Sequence, residues 1–347
     1  MSVSVCGCLS VVLFSGLDAG ASDLRRVISP VADLRSETQD APPDTYAHDP
    51  LEESQLLFGE IVKIHQTDGD WGLAEAVNQR EFTHKKVWEG YPGWVRLENL
   101  GEPWAGPVES KAVVKTFWAN VYDRPLTGFG RSQIYAQIPF GSFIDVVRTA
   151  GDWAEMAWKC RTTAWMRKKY LTCAAASIAM PESDTGHYDA RIADCVWKHM
   201  RLFFGVPYYW GGLSPYGTRY RRVMTGVDCS GLVHLAYRAA GAVIPRDSHE
   251  QWMSSAPLKR EELRRGDLVF LANAEKPQKI VHVAMYVGGE FLIEGPGTGL
   301  KVRRITFKKK FGRRLSGIES GDTVGGKVIY FGRPEWTAIS ERGEEVK

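Results

Sequence analysis

Apolar and polar positions along the chain fall into three textures. From Leu51 to about Leu100 short apolar runs alternate with polar ones: Gln55-Leu56-Leu57-Phe58-Gly59-Glu60-Ile61-Val62, then Asp70-Trp71-Gly72-Leu73-Ala74-Glu75-Ala76-Val77, then Glu89-Gly90-Tyr91-Pro92-Gly93-Trp94-Val95. Short strands at regular spacing with glycine-rich turns predict a small β-barrel. Residues 111–171 repeat the scheme: Gly151-Asp152-Trp153 followed by alternation echoes residues 69–77, and Ala164-Trp165-Met166 echoes Gly93-Trp94-Val95. An internal repeat of this kind predicts two tandem barrels, with Trp71 and Trp153 in their cores. From about Thr185 the period changes. Ile192, Cys195, Val196, Met200 and Phe203 share one face of a helix across residues 188–204, a second helix is predicted from Ser230 to Ala240 with Gly241 as its stop, and strands follow to about residue 333. Helices first and antiparallel strands afterwards predict an α+β domain.

The chemistry concentrates at the start of the second helix, in Asp228-Cys229-Ser230-Gly231-Leu232-Val233. A cysteine at a helix N-terminus meets partial positive charge and unsatisfied N–H groups, which stabilise a thiolate and can hold an oxyanion. Alone it reads equally as an inert core thiol. A nucleophile needs a base, and the base an orienting group. The strand Ile280-Val281-His282-Val283-Ala284-Met285-Tyr286-Val287 supplies His282, and Phe291-Leu292-Ile293-Glu294, beyond Gly288-Gly289, supplies Glu294. Side chains alternate along a strand, so a two-residue Gly288-Gly289 turn would put Glu294 on the face opposite His282. A three-residue loop, or a bulge with the same effect, brings both to one face. An odd-length connection is therefore predicted, with Met285 facing Ile293.

With Tyr208-Tyr209-Trp210-Gly211-Gly212 before the cysteine and Arg264-Arg265-Gly266-Asp267-Leu268-Val269-Phe270 after it, these pieces stand in one order over about 90 residues. In that order the chain resembles the NlpC/p60-type cell-wall cysteine peptidases of the papain-like superfamily, and in particular members with two N-terminal bacterial SH3-like domains. The resemblance implies a fold class of α+β papain-like catalytic domain preceded by two small all-β SH3-like barrels. It implies Cys229 as nucleophile, His282 as base and Glu294 as orienting residue, a position that is most often histidine in the family. It also implies a substrate: peptidoglycan stem peptides, cut between γ-D-glutamate and lysine or diaminopimelate, with a free N-terminal amine. Asp228 and Ser230 match two family residues that hold this amine. Tyr91, in the loop expected to be the tip of the first barrel, is the expected tyrosine, and Trp210 matches a tryptophan that walls the cleft. No cofactor or metal is implied, and a monomer is expected. The competing readings are a wall-binding module with a degenerate peptidase domain and an amidase or acyltransferase using the same Cys/His pair.

The expected organisation is a signal-like segment at 1–22, a linker or arm at 23–50 carrying Pro30, Pro42, Pro43 and Pro50, barrels at 51–108 and 109–178, and the peptidase domain at 185–336. The first 22 residues have a short apolar centre and small residues at their end, yet no Lys or Arg precedes Arg25. The expected location is the cell envelope, with a cytoplasmic recycling enzyme as the alternative. No apolar run has the length of a membrane span. The 44 Lys and Arg against 41 Asp and Glu leave a net charge of +3, which argues against nucleic acid as a partner. The run Lys308-Lys309-Lys310, with Arg313-Arg314, reads as a solvated face or a contact for an anionic polymer. Arg219, Arg221 and Arg222 are expected to rim the cleft. The six cysteines form no CxxC pair, so neither structural zinc nor a disulfide framework is expected.

Overall fold

The computed structural model describes residues 23–41, 48–126, 133–159, 161–173, 190–215 and 226–338. The signal-like segment, Cys6, Cys8, Cys160 and the arginines at 219, 221 and 222 lie outside them.

The repeat read from the sequence is a repeat of the fold. The first unit contains β1 (Leu24–Val27), β2 (Val31–Arg35), β3 (Glu52–Leu57), β4 (Ile61–Asp68), β5 (Trp71–Glu81), β6 (Glu89–Arg96) and β7 (Leu100–Gly101). The second contains β8 (Ser110–Val114), β9 (Trp118–Tyr122), β10 (Ile134–Pro139), β11 (Phe143–Ala150), β12 (Trp153–Ala157), β13 (Thr163–Arg167) and β14 (Leu171–Cys173). Spatial order is β3-β2-β6-β5-β4-β1-β7 in one and β10-β9-β13-β12-β11-β8-β14 in the other, the same permutation twice. Trp71 faces Arg96 across β5 and β6, and Trp153 faces Arg167 across β12 and β13. Each guanidinium lies over its indole, at 4.4 and 4.2 Å from the ring centroid, so both tryptophans are buried beneath a cation, as their amphipathic rings favour. Among the described residues the strands at the two ends of each path do not pair with one another. The expected closed barrels are thus two open seven-stranded sheets.

The arm expected over 23–50 is also corrected. Residues 24–35 are strands of the first sheet, with β1 on β4 and β7, and β2 on β3 and β6. Their alternation was concealed because Arg26 and Arg35 point inward: both are almost fully buried. Arg35 is held by Glu52 and Asp49, each at 2.9 Å, and Arg26 leans on the Phe58 ring and the Asp145 carboxylate. A buried arginine is tolerated only with such partners.

The third unit begins with α1 (Ala190–Leu202), whose Ile192, Val196 and Met200 are buried, as the spacing predicts. Two short paired strands follow, β15 (Leu213–Ser214) and β16 (Gly226–Val227), then α2 (Cys229–Ala239), β17 (Ala242–Val243) and α3 (Ser248–Met253). Strands β18 (Ser255–Pro257), β19 (Leu268–Asn273), β20 (Lys276–Gly288), β21 (Phe291–Glu294), β22 (Arg303–Thr306), β23 (Thr323–Val324) and β24 (Lys327–Pro334) come next, with the short α4 (Phe307–Phe311) after β22. They form an antiparallel sheet in the order β18-β24-β19-β20-β21-β22, with β23 on β24. Among the described residues no helix is long and apolar enough to cross a membrane.

Every residue of α2 is buried, because all three units close on it. One apolar cluster joins Leu232, Val233 and Leu235 of α2 to Val31 and Leu57 of the first sheet, Val113 and Phe140 of the second, and Val283 and Met285 of the third. A polar tie runs through Arg238. Its Nη1 donates to the Glu60 carboxylate of the β3–β4 turn and to the Gly141 carbonyl of the second unit, and its guanidinium covers Phe143 at 4.9 Å. Nη2 donates to His234 Nε2 at 2.7 Å, while His234 Nδ1 donates to the Ile244 carbonyl at 2.9 Å. Burial and the cations of Arg238 and Arg246 keep the His234 ring well below its ordinary pKa, hence neutral and able to accept. Arg238→Met would leave Glu60 buried without its counter-charge. The expected loss is about 3–5 kcal/mol, read from urea unfolding. Arg238→Met combined with Glu60→Gln is expected to lose less than the single substitution.

Candidate functional site

Helix α2 starts where the sequence places it. Asp228 is its N-cap, in extended conformation, and its Oδ1 accepts from the Gly231 N–H at 2.6 Å. Cys229 is therefore the first helical residue, and its side chain meets β20. The N–H groups of Val283, next to His282, and of Ser230 reach toward the sulfur and favour a thiolate, but burial outweighs them. Burial, then the Asp228 charge, pushes the thiol up to about 12. At neutral pH Cys229 is a thiol. Gly295 makes the close approach possible on the other side: a Cβ there would lie 3.2 Å from the Asp228 carbonyl oxygen and 3.5 Å from the Cys229 nitrogen, so the end of β21 lies against the start of α2.

The hairpin carrying His282 and Glu294 has the predicted parity. Met285 pairs with Ile293 and Tyr286 with Leu292, but Gly288, not Val287, pairs with Phe291. Val287 is the extra residue of a bulge, and the turn is Gly289-Glu290. Gly288 and Gly289 both take positive φ, 108° and 59°, which a glycine adopts without the Cβ penalty. The bulge restores the shared face, and His282 Nε2 stands 2.9 Å from Glu294 Oε2. That bond directs Nε2 at the carboxylate and leaves Nδ1 as the imidazole's free nitrogen.

Glu294 has three partners, two of which the sequence did not announce. Arg303 on β22 donates Nε and Nη2 to Oε1 at 3.1 and 2.9 Å. Lys310 on α4 donates to Oε2 and lies 3.5 Å from His282 Nε2. The Glu294 side chain has no exposed surface. Its burial opposes ionisation, but the His282 hydrogen bond and the Lys310 charge overcome it and hold the carboxyl down at about 2. The His282 pKa is lowered as well, which for an imidazole favours the neutral form. Burial lowers its pKa first, Lys310 and Lys327 lower it further, and Glu294 raises it in part. A neutral imidazole and an ionised carboxylate thus stand 2.9 Å apart, and the neutral Cys229 thiol lies against the N–H of Val283, the residue after His282. Lysine 310 corrects the reading of residues 308–310 as a solvated face: Lys308 and Lys309 are exposed, whereas Lys310 is only 14% exposed and turned inward.

The residues matched to amine binding are distributed differently from the expectation. Both Asp228 oxygens are engaged by Arg246, Oδ2 from Nη2 at 2.8 Å and Oδ1 from Nη1 at 3.2 Å. Ser230 Oγ donates to Asp228 Oδ1 at 3.2 Å and accepts from Arg246 Nη1 at 3.1 Å. Arg246 is fully buried and also donates Nε to Ser54 Oγ of β3 at 2.9 Å. Tyr91 is buried in strand β6 rather than at a loop tip, and its hydroxyl reaches the third unit, donating to Asp247 Oδ2 at 3.0 Å, with Glu53 Oε2 at 3.5 Å. Sequence reading missed Arg246, Asp247 and Glu53, because the adjacent pairs Arg246-Asp247 and Glu52-Glu53 carry no spacing signal. Asp247 sits partly open; its surroundings, by burial and then the charges of Asp228 and Glu250 against that of Arg246, push its carboxyl up to about 7. Trp210 is 47% exposed, with the His48 ring edge-on at 4.9 Å.

Residues 205–316 match the NlpC/P60 family. The chain is 27% identical over 254 residues to a gamma-D-glutamyl-L-lysine dipeptidyl-peptidase of Bacillus subtilis, covering 73% of this chain and 75% of that protein. It is likewise 27% identical over 247 residues to the Bacillus cereus protein of the same name, covering 70% and 67%. The crystal structure of an NlpC/P60 family protein from Bacillus cereus superposes with a TM-score of 0.66 at 22% identity, over 90% of this chain and 99% of that one, a likeness of fold.

The Glu294 charge makes stability depend on acid. Its folded value of about 2 lies below its ordinary 4.5, so the stabilisation is complete above the ordinary value and is lost as pH falls from there through the folded one. The full shift corresponds to about 3 kcal/mol. Circular dichroism across that interval is expected to show a shallower acid loss for Glu294→Gln than for the unaltered protein.

Proposed function

We propose that this chain, a cysteine peptidase of the NlpC/P60 family, hydrolyses the bond between γ-D-glutamate and lysine or diaminopimelate in peptidoglycan stem peptides that carry a free N-terminal L-alanine. One observation carries the reading beyond the family's general chemistry: the Tyr91 hydroxyl of the first sheet has Asp247 Oδ2 at 3.0 Å and Glu53 Oε2 at 3.5 Å, beside the pair that Arg246 makes with Asp228, the residue before Cys229. Two carboxylates and a hydroxyl converging on one point suit an ammonium group. Asp228 and Ser230, engaged by Arg246, set the position of that group rather than supply its whole counter-charge. The sugar-linked end of a longer substrate would meet the first sheet, so the cleft favours a released peptide. We read the two β-rich units as SH3-like modules that close this end, and Trp210 as a wall for the peptide.

The reaction follows from the neutral pair. As the Cys229 sulfur attacks the γ-glutamyl carbonyl carbon, its proton passes to His282 Nδ1, and Glu294 holds Nε2–H and meets the imidazolium as it forms. The carbonyl oxygen takes the electron pair and lies toward the N–H groups at the start of α2. The C–N bond then breaks, the amine leaves with the proton from His282, and a thioester remains. Water, giving a proton to His282, attacks the thioester and releases the dipeptide and the thiol.

Purified protein acting on a free L-Ala-γ-D-Glu-L-Lys peptide tests the assignment. Cys229→Ala and His282→Ala are expected to abolish cleavage with the fold retained; full activity in Cys229→Ala would end the reading. Glu53→Gln is expected to raise KM about 10- to 100-fold, the equivalent of one charge-assisted hydrogen bond. An unchanged KM would remove Glu53 from the amine site and leave the nucleophile assignment standing.

A further inference from the structure

The position next to His282 carries more charge than orienting an imidazole requires. An ionised carboxylate alone, buried against a histidine, favours the imidazolium. That form cannot accept the proton of a thiol, and Cys229 rests as a thiol. Two cations offset the carboxylate. Arg303 occupies Glu294 Oε1 through two donors, and Lys310 occupies Oε2 while standing 3.5 Å from His282 Nε2. One negative against two positive charges leaves the group net positive, and a protonated His282 would face Lys310 as a like charge. Lysine 310 is the better placed of the two, at 14% side-chain exposure against 42% for Arg303. Its direction is built in by α4. Thr306 caps that helix, accepting from the Lys309 N–H at 3.1 Å, and Phe307 is buried. Lys310, three residues on, lies on the same helix face as Phe307.

We propose that Lys310 is a positioning residue of the site: with Arg303 it neutralises Glu294, so that the carboxylate fixes the His282 ring without trapping a proton on it. The proposal rests on His282 acting as base toward Cys229. The charged and titratable groups around His282 are Glu294 on β21, Arg303 on β22 acting through it, Lys310 on α4 and Lys327 on β24, while Cys229 on α2 meets the N–H of the next residue, Val283. Among these, Lys310 touches both the ring and its orienting carboxylate. The group that orients His282 is therefore not net negative, although its contacting residue is a glutamate.

The test combines an NMR titration of the His282 ring with pH profiles of kcat/KM for the full chain. In Lys310→Met the His282 titration and the acid limb of the profile are expected to move together to higher pH, and Lys310→Arg is expected to bring both back. Glu294→Gln strands Lys310 as an unpaired buried cation, so Glu294→Gln with Lys310→Met is expected to exceed Glu294→Gln alone by roughly tenfold in kcat/KM, a usual size for coupled contacting groups. An unshifted His282 titration in folded Lys310→Met, or purely additive losses in the double variant, would overturn the proposal. Cleavage by Cys229→Ala would instead end the underlying reading, and the ring titration would still decide what Lys310 does to His282.

Discussion

The constraint on which the structure depends is the complete burial of α2. A helix that begins with Cys229 and has no exposed residue cannot be stabilised by the third unit alone. It needs the apolar surface of both β-rich sheets, and Arg238 within it needs Glu60 from one and Gly141 from the other. Removing either sheet would take apolar residues out of the cluster that holds Leu232, Val233 and Leu235 and deprive the buried Arg238 guanidinium of one of its partners. The sheets are therefore parts of the scaffold that holds Cys229 in place. Arg246 makes the same connection closer to the reacting atoms, joining Ser54 of the first sheet to the N-cap of α2.

Electrostatics at the site follow from that burial. Desolvation pushes the Cys229 thiol up and the His282 imidazole down, so the resting pair is neutral, and helix-terminal N–H groups are left to act on charge that develops during reaction. The one group kept ionised, Glu294, is the one surrounded by His282, Arg303 and Lys310. Asp247 is displaced upward by burial first and by the Asp228 and Glu250 charges after it. A cationic substrate group would relieve that crowding, which is a physical reason for an amine to be preferred there.

Much of this was legible in the sequence wherever a local period or a spacing carries it. The start of α2 followed from Asp228 and the apolar pattern behind it. The shared face of His282 and Glu294 followed from counting residues through the turn, although the odd step is a bulge at Val287 rather than a longer loop. The doubled Gly-Asp-Trp marked a repeat that the identical strand orders bear out. What was illegible depends on tertiary neighbours. Arg26 and Arg35 made two core strands look like a linker, because their counter-charges come from residues 14 to 119 positions away. Lys310 was hidden in a run of like charges, of which only a capped helical turn faces one inward. Tyr91 was singled out by its motif, but Glu53 and Asp247, which its hydroxyl approaches, follow Glu52 and Arg246 in pairs that carry no motif.

The central claim is that the cysteine site and the charged end of the cleft act on one substrate, measured from its amine. Mass spectrometry of the products from two otherwise identical stem peptides, one with a free N-terminal amine and one N-acetylated, tests it most directly. The account predicts release of the L-alanyl-γ-D-glutamate dipeptide from the first and no corresponding product from the second. Equal cleavage of both at the same bond would contradict it.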